Sequence, residues 1–570
     1  MSGFSALRYD PNPTYSPVDG RVRVGWDEAA GSLQSGCRLL AVDGPAALDW
    51  PRLIDDLSAA LERRRIPTLR YDVREHMLDW TAIVKRTESS ALADDPNFAT
   101  LAGGTLDELF GPIPAPSLSD DRLVIVFGPG AAFLAADALW YADQPKRFAE
   151  AAIGAGAAHN LGQSGPDDRG TLRRLFYVDW PLLDRHRDSL VQRIDAWIDL
   201  QRPDRPTLLD GTSLRRTLEH LARRPFRTRP TFNTTSWGGH WGQQQFGLNP
   251  DAPNTALGYE LIAPESGILL GSTHAAVEVP FQLLVATHPG DILGSRANAT
   301  FGTSFPIRFD YLDTVGGGNL SVHCHPQTDY MREVFGWPYT QHETYYVMVG
   351  GPGRQVFLGL REGADLEAFR RQAHRAEEHG EEFDVERFVQ TFPATPHQLF
   401  LVPAGTPHGS GEGNVVLEIS ATPYLYSLRV FDWLRTGGDG PPRPIHIDHA
   451  FENLDRNRRG AAVAADLVPQ PRQLTAGAGW HEDVLGALPA MFFDVRRLEI
   501  SPASQVESDT EGSFHVLNVV DGDGVTVRAA SGDTHRLRYA ETLVVPAAVG
   551  RYSIIPVADG GARVVKALVR

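Results

Sequence analysis

Between about residues 30 and 225 the chain alternates short apolar runs with stretches whose apolar positions recur at helical spacing, the rhythm of βαβ units around a parallel sheet. Residues 38–44 (RLLAVDG) predict a strand and turn, 50–65 a helix, and 68–73 and 122–130 two further strands. The stretch 182–201 carries apolar residues at helical spacing, and PTLLDG followed by SLRRTLEHLARR predicts one more strand and helix. This region reads as a three-layer α/β domain. A boundary falls near 223–232 (RRPFRTRPTF), where proline and arginine displace any periodic pattern. From there to about 460 the texture becomes short strands with glycine-rich turns, GILLGS, AAVEVPFQLLVATHPGD, TYYVMVGG and NVVLEIS among them, which predicts a β-sandwich or barrel. A highly charged helical insertion interrupts it at about 363–393, and after an arginine-rich linker the chain returns to β texture. The expected fold is therefore multidomain: α/β over 1–225, then all-β over 226–465 and 466–570.

Composition narrows the functions available. A length of 570 residues suits three or four domains, and 42% hydrophobic residues is ordinary for a globular chain. With 54 Lys and Arg against 71 Asp and Glu, the net charge of −17 opposes both nucleic acid and acidic membrane surfaces. Two cysteines, Cys37 and Cys324, are too few for a disulfide framework or a thiolate zinc site, which points to a reducing compartment. The opening residues lack a basic start followed by an apolar core, and the most apolar run, 123–136, is interrupted by Gly-Pro-Gly. A soluble cytoplasmic protein is expected. Its oligomeric state is not legible.

Candidate chemistry concentrates after residue 317. His323 and His325 flank Cys324 in SVHCHP; in a strand, residues two apart share a face, so both imidazoles can meet one cation while Cys324 points away. Glu343 in HETYYVMVG and His408 in LVPAGTPHGSGEGN would complete a set of nitrogen and oxygen ligands. Such a set suits one divalent metal, zinc foremost, with manganese, iron or cobalt as alternatives. The Pro-Ala-Gly-Thr-Pro turn before His408 favours presenting that imidazole inward.

The ordered pattern Gly317-x5-His323-x-His325, Glu343-x6-Gly350 and Pro403-x-Gly405-x2-His408 resembles the paired cupin motifs, with a longer gap between His325 and Glu343. From about 237 to 453 the chain resembles, more narrowly, the type I mannose-6-phosphate isomerases. SWGGHWGQQQFG, FPIRFDYLDT, NLSVHCHP, HET, PAGTPHGSGEGNVVLEIS, SLRVFDWLR and RPIHIDHAFENLD carry that likeness in order. The resemblance implies metal ligation by His323, in place of the family's glutamine, and by His325, Glu343 and His408. It implies catalytic positions at Glu418 and Arg429, substrate binding by Arg429 and Gln341, and isomerisation of mannose 6-phosphate to fructose 6-phosphate through an enediol. A sugar or sugar phosphate is then the small-molecule partner. Two departures stand out: Gln341 replaces the family's lysine, and Asp310 aligns with the basic residue of the preceding strand. They keep two other readings open, a different metal-cupin enzyme (epimerase or oxygenase) and a non-catalytic sugar-binding regulator.

Chemistry on the residues themselves agrees with isomerisation. Moving a proton between carbons 2 and 1 of a sugar needs a shuttle and a way to stabilise negative charge on the neighbouring oxygen. Glu418 lies on the polar side of NVVLEIS, opposite Leu417 and Ile419, and Arg429 offers a fixed positive charge.

The terminal regions resemble related but degenerate modules. LLAVDGPAALDWPRLIDDLSAAL resembles a nucleoside-kinase P-loop in place and shape, yet its Gly-Lys-Ser/Thr is absent, so no nucleotide-binding residue is expected. The last region resembles a second cupin. Tyr552 stands about where a ligand histidine would be, His515 is expected to be the only histidine on its strands, and no second metal is expected.

Overall fold

The structure is a computed structural model that describes residues 9–118, 121–163, 165, 169–436, 443–557 and 560–570. Residues 1–8, part of the segment read above for a leader, lie outside it. No helix among the described residues is long and apolar enough to cross a membrane.

The first region is built on a seven-stranded sheet. Five parallel strands run in the spatial order Ala196–Asp199, Ala138–Asp143, Leu39–Asp43, Leu123–Phe127 and Thr68–Asp72, and Thr207–Asp210 and Arg23–Val24 extend one edge antiparallel. Alternation decides which face each side chain serves. Leu40 and Val42 pack with Leu53, Ile54 and Leu57 of the helix Trp50–Arg63, whereas Leu39 and Ala41 pack on the other side with Leu190, Leu214 and Leu218. The stretch 182–201, read as one helical pattern, divides into the end of a helix, Trp180–Leu190, and the buried strand Ala196–Asp199. A short apolar run buried on both sides carries no alternation to reveal it as a strand.

Two facing sheets follow. The six-stranded one runs Leu399–Val402, Glu343–Val349, Val415–Ala421, Ile307–Asp313, Leu257–Leu261 and Thr231–Asn233; the five-stranded one runs Val389–Pro393, Gln355–Leu360, His408–Ser410, Val322–Cys324 and Leu428–Phe431. Two expectations fail here. AAVEVPFQLLVATHPGD is a strand, Ala275–Pro280, followed by the helices Phe281–Thr287 and Pro289–Leu293. Phe281, Leu283, Leu284 and Val285 are all fully buried, and so short and largely apolar a helix looks like a buried strand in sequence. The insertion at 363–393 is only partly helical: Leu366–His379 is a helix, but Val389–Pro393 is a strand paired with Gln355–Leu360.

The last region has a six-stranded and a four-stranded sheet, the latter formed by Val506–Asp509, Arg551–Pro556, Gly524–Ala529 and Thr534–Arg538. His481 and His535 lie on its strands as well as His515, because Trp480–Gly486 and Thr534–Arg538 are both paired.

One apolar core joins all three regions, running from Leu39 and Val126 through Phe281, Phe309 and Tyr345 to Phe514 and Val565. Within the segment read as a boundary at 223–232, residues 225–228 are buried. Phe226 exchanges two backbone hydrogen bonds with Val544, and Arg227, 2% exposed, pairs with Glu541 at 2.8 Å. Removing one partner of such a buried pair costs about 3–5 kcal/mol.

Candidate metal centre

Register assembles the site. His323 stands directly opposite His408 in the five-stranded sheet, and His325 follows immediately after the same strand. In the six-stranded sheet Glu343 pairs with Ser420, Ser420 with Arg308, and Glu418 with both Asp310 and Tyr345. These six positions therefore share one face. Where the two sheets face each other, His323, His325, Glu343 and His408 bring one ligand atom each within 4.8 Å of one another, all buried.

Each imidazole is oriented from behind. Nδ1–H of His323 donates to the Ser321 carbonyl at 2.9 Å, that of His408 to Thr406 at 2.9 Å, and that of His325 to Tyr426 at 3.2 Å. A carbonyl can only accept, so all three rings carry their proton on Nδ1 and turn a lone pair on Nε2 inward, the arrangement that metal-binding histidines use. Glu343 lies between two of them, with Oε1 2.9 Å from His325 Nε2 and Oε2 3.0 Å from His408 Nε2. His325 Nε2 is buried without a hydrogen-bond partner. Three inward imidazoles and one carboxylate form a donor set that fits a single divalent cation and suits zinc.

Electrostatics keep that set in its ligating forms. Burial pushes the Glu343 carboxyl up, but the pull of His325 and His408 outweighs it and holds the group well below the usual range. Burial, then the neighbouring His408 and His325, keeps His323 neutral far below its ordinary value, and burial also lowers His325.

Arg308 is the site residue that sequence reasoning missed. It is 6% exposed, reaches Glu343 Oε1 at 3.2 Å and Ser420 Oγ at 2.5 Å, and also bonds Glu418. The alignment that matched a basic position to Asp310 overlooked this arginine two residues earlier on the same strand face. Alternation along FPIRFDYLDT was the available signal.

The other expected residues sit as follows. Glu418 is buried beside Arg308; burial, opposed by Arg308 and reinforced by Asp310 and Glu343, raises its pKa well above the usual range. The Gln341 amide donates to Glu343, and its Oε1 is buried without a hydrogen-bond partner. His342 faces the other way and accepts from the Ala404 amide at 3.1 Å. Arg429 stands opposite His323 in the sheet, with Nε donating to the Pro444 carbonyl at 2.8 Å. Burial and the nearby Arg443 lower its pKa to about 10. Arg435 and Arg443 share Asp432 at 2.7 and 3.3 Å, and Arg435 Nε is a buried donor without a hydrogen-bond partner.

The first region reaches this neighbourhood. Asp95 pairs with His449 at 2.7 Å, and the Phe98 ring lies 4.6 Å from His446 and 6.4 Å from Tyr426, whose carbonyl orients His325. Nothing in the local sequence of residues 92–101 announces so distant a contact.

A family described as "Domain of unknown function (DUF8485)" matches residues 25–223. The mannose-6-phosphate isomerase of Streptococcus mutans serotype c (strain ATCC 700610 / UA159) is 26% identical over 311 residues, 54% of this chain and 88% of the relative. The mannose-6-phosphate isomerase ManA of Bacillus subtilis (strain 168) is 23% identical over 260 residues, 44% of this chain and 73% of the relative. Among solved structures, the mannose 6-phosphate isomerase from Bacillus subtilis aligns with a TM-score of 0.47 at 18% identity over 60% of this chain and 99% of its own. A zinc-bound mannose 6-phosphate isomerase aligns with a TM-score of 0.48 at 14% identity over 61% of this chain and 100% of its own.

Proposed function

We propose that this chain is a metal-dependent aldose–ketose isomerase that interconverts mannose 6-phosphate and fructose 6-phosphate through an enediol. The observation that carries the reading is the buried set His323, His325, Glu343 and His408, with its three imidazoles fixed in the ligating tautomer and a second carboxylate, Glu418, held beside it by Arg308. The sequence likeness to mannose-6-phosphate isomerases supports the substrate.

Those four residues hold the cation. When bound, it supplies Lewis-acid stabilisation of the negative charge that develops on the sugar oxygens. Glu418 carries the proton between carbons 2 and 1, and Arg308 fixes its carboxyl in place. Gln341 holds Glu343 and offers its buried Oε1 to a sugar hydroxyl. Arg429, with Arg435 and Arg443 close by, forms a cationic patch beside His323 that suits the phosphate. That patch supplies positive charge in a site where Gln341 stands in place of the family's lysine. Domains at 1–225, 226–465 and 466–570 complete the proposal: a degenerate kinase-like module, the isomerase barrel and a second barrel that shields it.

Chelation tests the reading. Protein stripped of metal should lose conversion and regain it with one equivalent of zinc. Full activity in the stripped protein would refute a metal-dependent isomerase.

A further inference from the structure

We infer that the first region carries a second small-molecule site, separate from the metal centre, that takes an uncharged, hydroxyl-rich ligand of the free-sugar class and excludes phosphates.

The site is a crevice of about 1000 Å³ at the carboxyl ends of the parallel strands. Every one of the five contributes from that end. Ala46–Leu48 follow Leu39–Asp43, Arg74 and Glu75 follow Thr68–Asp72, and Pro129 follows Leu123–Phe127. Gln144 follows Ala138–Asp143, and Leu200 follows Ala196–Asp199. The order of the strands reverses about Leu39–Asp43, and open α/β sheets bind ligands at such a switch point. The volume is at the upper end for small-molecule pockets.

The lining decides the class of ligand. The helix Trp50–Arg63 starts at the crevice, where a phosphate would need free backbone amides and a lysine. Here Asp49 caps the helix itself, accepting from the Arg52 amide at 3.2 Å; Pro51 has no amide hydrogen; and Trp50, at the lysine's place, is fully buried. Asp79 caps the second helix at the crevice, Trp80–Thr87, in the same way. Of the two guanidinium groups, Arg74 is hydrogen-bonded to both oxygens of Asp72, and Arg52 lies 3.7 Å from Asp56 in an exposed ion pair. An anion would meet carboxylates, and among the described lining residues the basic side chain outside these pairs is the exposed His159.

A cation fares little better. Asp72 is neutralised by Arg74, and Asp49 and Asp79 face the positive ends of their helices, which leaves Glu75 as the uncompensated charge. What the crevice offers is hydrogen-bond acceptors, the second oxygens of Asp49 and Asp79 together with Glu75, and the amide of Gln144. Trp26, Trp80 and Phe148 line it with aromatic rings; Arg174 stacks on one face of Trp80 and Arg147 on one face of Phe148, which leaves the opposite face of each for a ligand. A sugar matches both, presenting hydroxyl donors to the carboxylates and a C–H face to the rings.

Calorimetric titration of the full chain tests this. The probes are D-mannose, D-glucose, glucosamine, ATP and inorganic phosphate, measured on the unaltered protein, Trp80→Ala and Glu75→Gln. Saturable binding of a neutral hexose is expected, weakened at least tenfold by Trp80→Ala and several-fold by Glu75→Gln. Glu75 is exposed, so its variant folds even if Trp80→Ala does not. No saturable hexose binding, hexose binding unchanged in Glu75→Gln, binding of glucosamine alone, or displacement of the hexose by ATP or phosphate would overturn the inference. Because the readout is binding at the crevice, its failure leaves the isomerase reading standing, and the reverse.

Discussion

The two β regions of this chain show how little separates a metal centre from a closed core. In the first, His323 and His408 oppose each other across one sheet while Glu343 rises from the other, and all three imidazoles are braced by carbonyls. In the second, His515 spends its Nδ1 on the Tyr552 hydroxyl at 2.8 Å, and the buried carboxylate nearby, Glu482, is held by Lys566 at 2.6 Å. The last region does gather His481, Asp483 and Glu499 within 4.8 Å, but Arg497 and Arg563 pair with those carboxylates. The difference lies in the imidazoles: Glu343 also has an arginine beside it, Arg308 at 3.2 Å, yet it faces two inward Nε2 lone pairs, whereas among the described residues of the last region no second buried imidazole turns toward the carboxylate that Lys566 holds.

The largest effect that would break this contrast is at His325. Replacing it with alanine removes one of four ligands and should take both metal content, by elemental analysis, and turnover to background. The converse change, Tyr552→His, should leave metal content at one equivalent per chain, because Glu482 stays with Lys566. Two equivalents would show that the second barrel lacks only a ligand.

Glu418→Gln should leave the metal in place and lower kcat by about 10²–10⁴-fold, the usual worth of general acid–base catalysis. An unaltered rate would move the proton shuttle elsewhere in the pocket. Phe98→Ala acts at one remove, through Tyr426 on the ring of His325. Metal affinity should fall by about 10-fold, within the range for groups that orient ligands. Phe98→Leu should restore part of it, whereas a purely structural role would change stability and leave affinity alone.

The smallest effect is a pH slope. Burial, then Lys566 and Arg496, lowers His515 to about 3, whereas an unfolded histidine titrates near 6.5. Between those values the unfolded chain binds the proton and the folded chain does not. Stability is thus fully present above about 6.5 and falls with acidification by up to about 1.4 kcal/mol per pH unit from this residue. Denaturation followed from pH 7 to 5 should show that slope reduced in His515→Gln; an identical slope would assign it to other groups.

Much of the centre was legible because strand alternation is local: His323 and His325 announce themselves, and Glu418 follows from the polar side of its strand. Arg308 was not, since its partners lie on the adjacent strands and only register brings Ser420 and Glu343 to it. The helix at 281–287 was hidden for a different reason: it is short and its run Leu283–Val285 is wholly buried, so it carries too little periodicity to separate helix from strand. The contact of Phe98 with His446 spans the two halves of the chain, and no pattern within either half encodes it.

The central claim is most directly tested by following mannose 6-phosphate by NMR, without oxygen, in the presence of the zinc-loaded full chain in deuterated water. Fructose 6-phosphate should appear as mannose 6-phosphate declines, with deuterium at carbon 1 to the extent that the shuttled proton exchanges with solvent, and His325→Ala should give neither. Appearance of glucose 6-phosphate in its place, or an unchanged mannose 6-phosphate spectrum with zinc bound, would contradict the account.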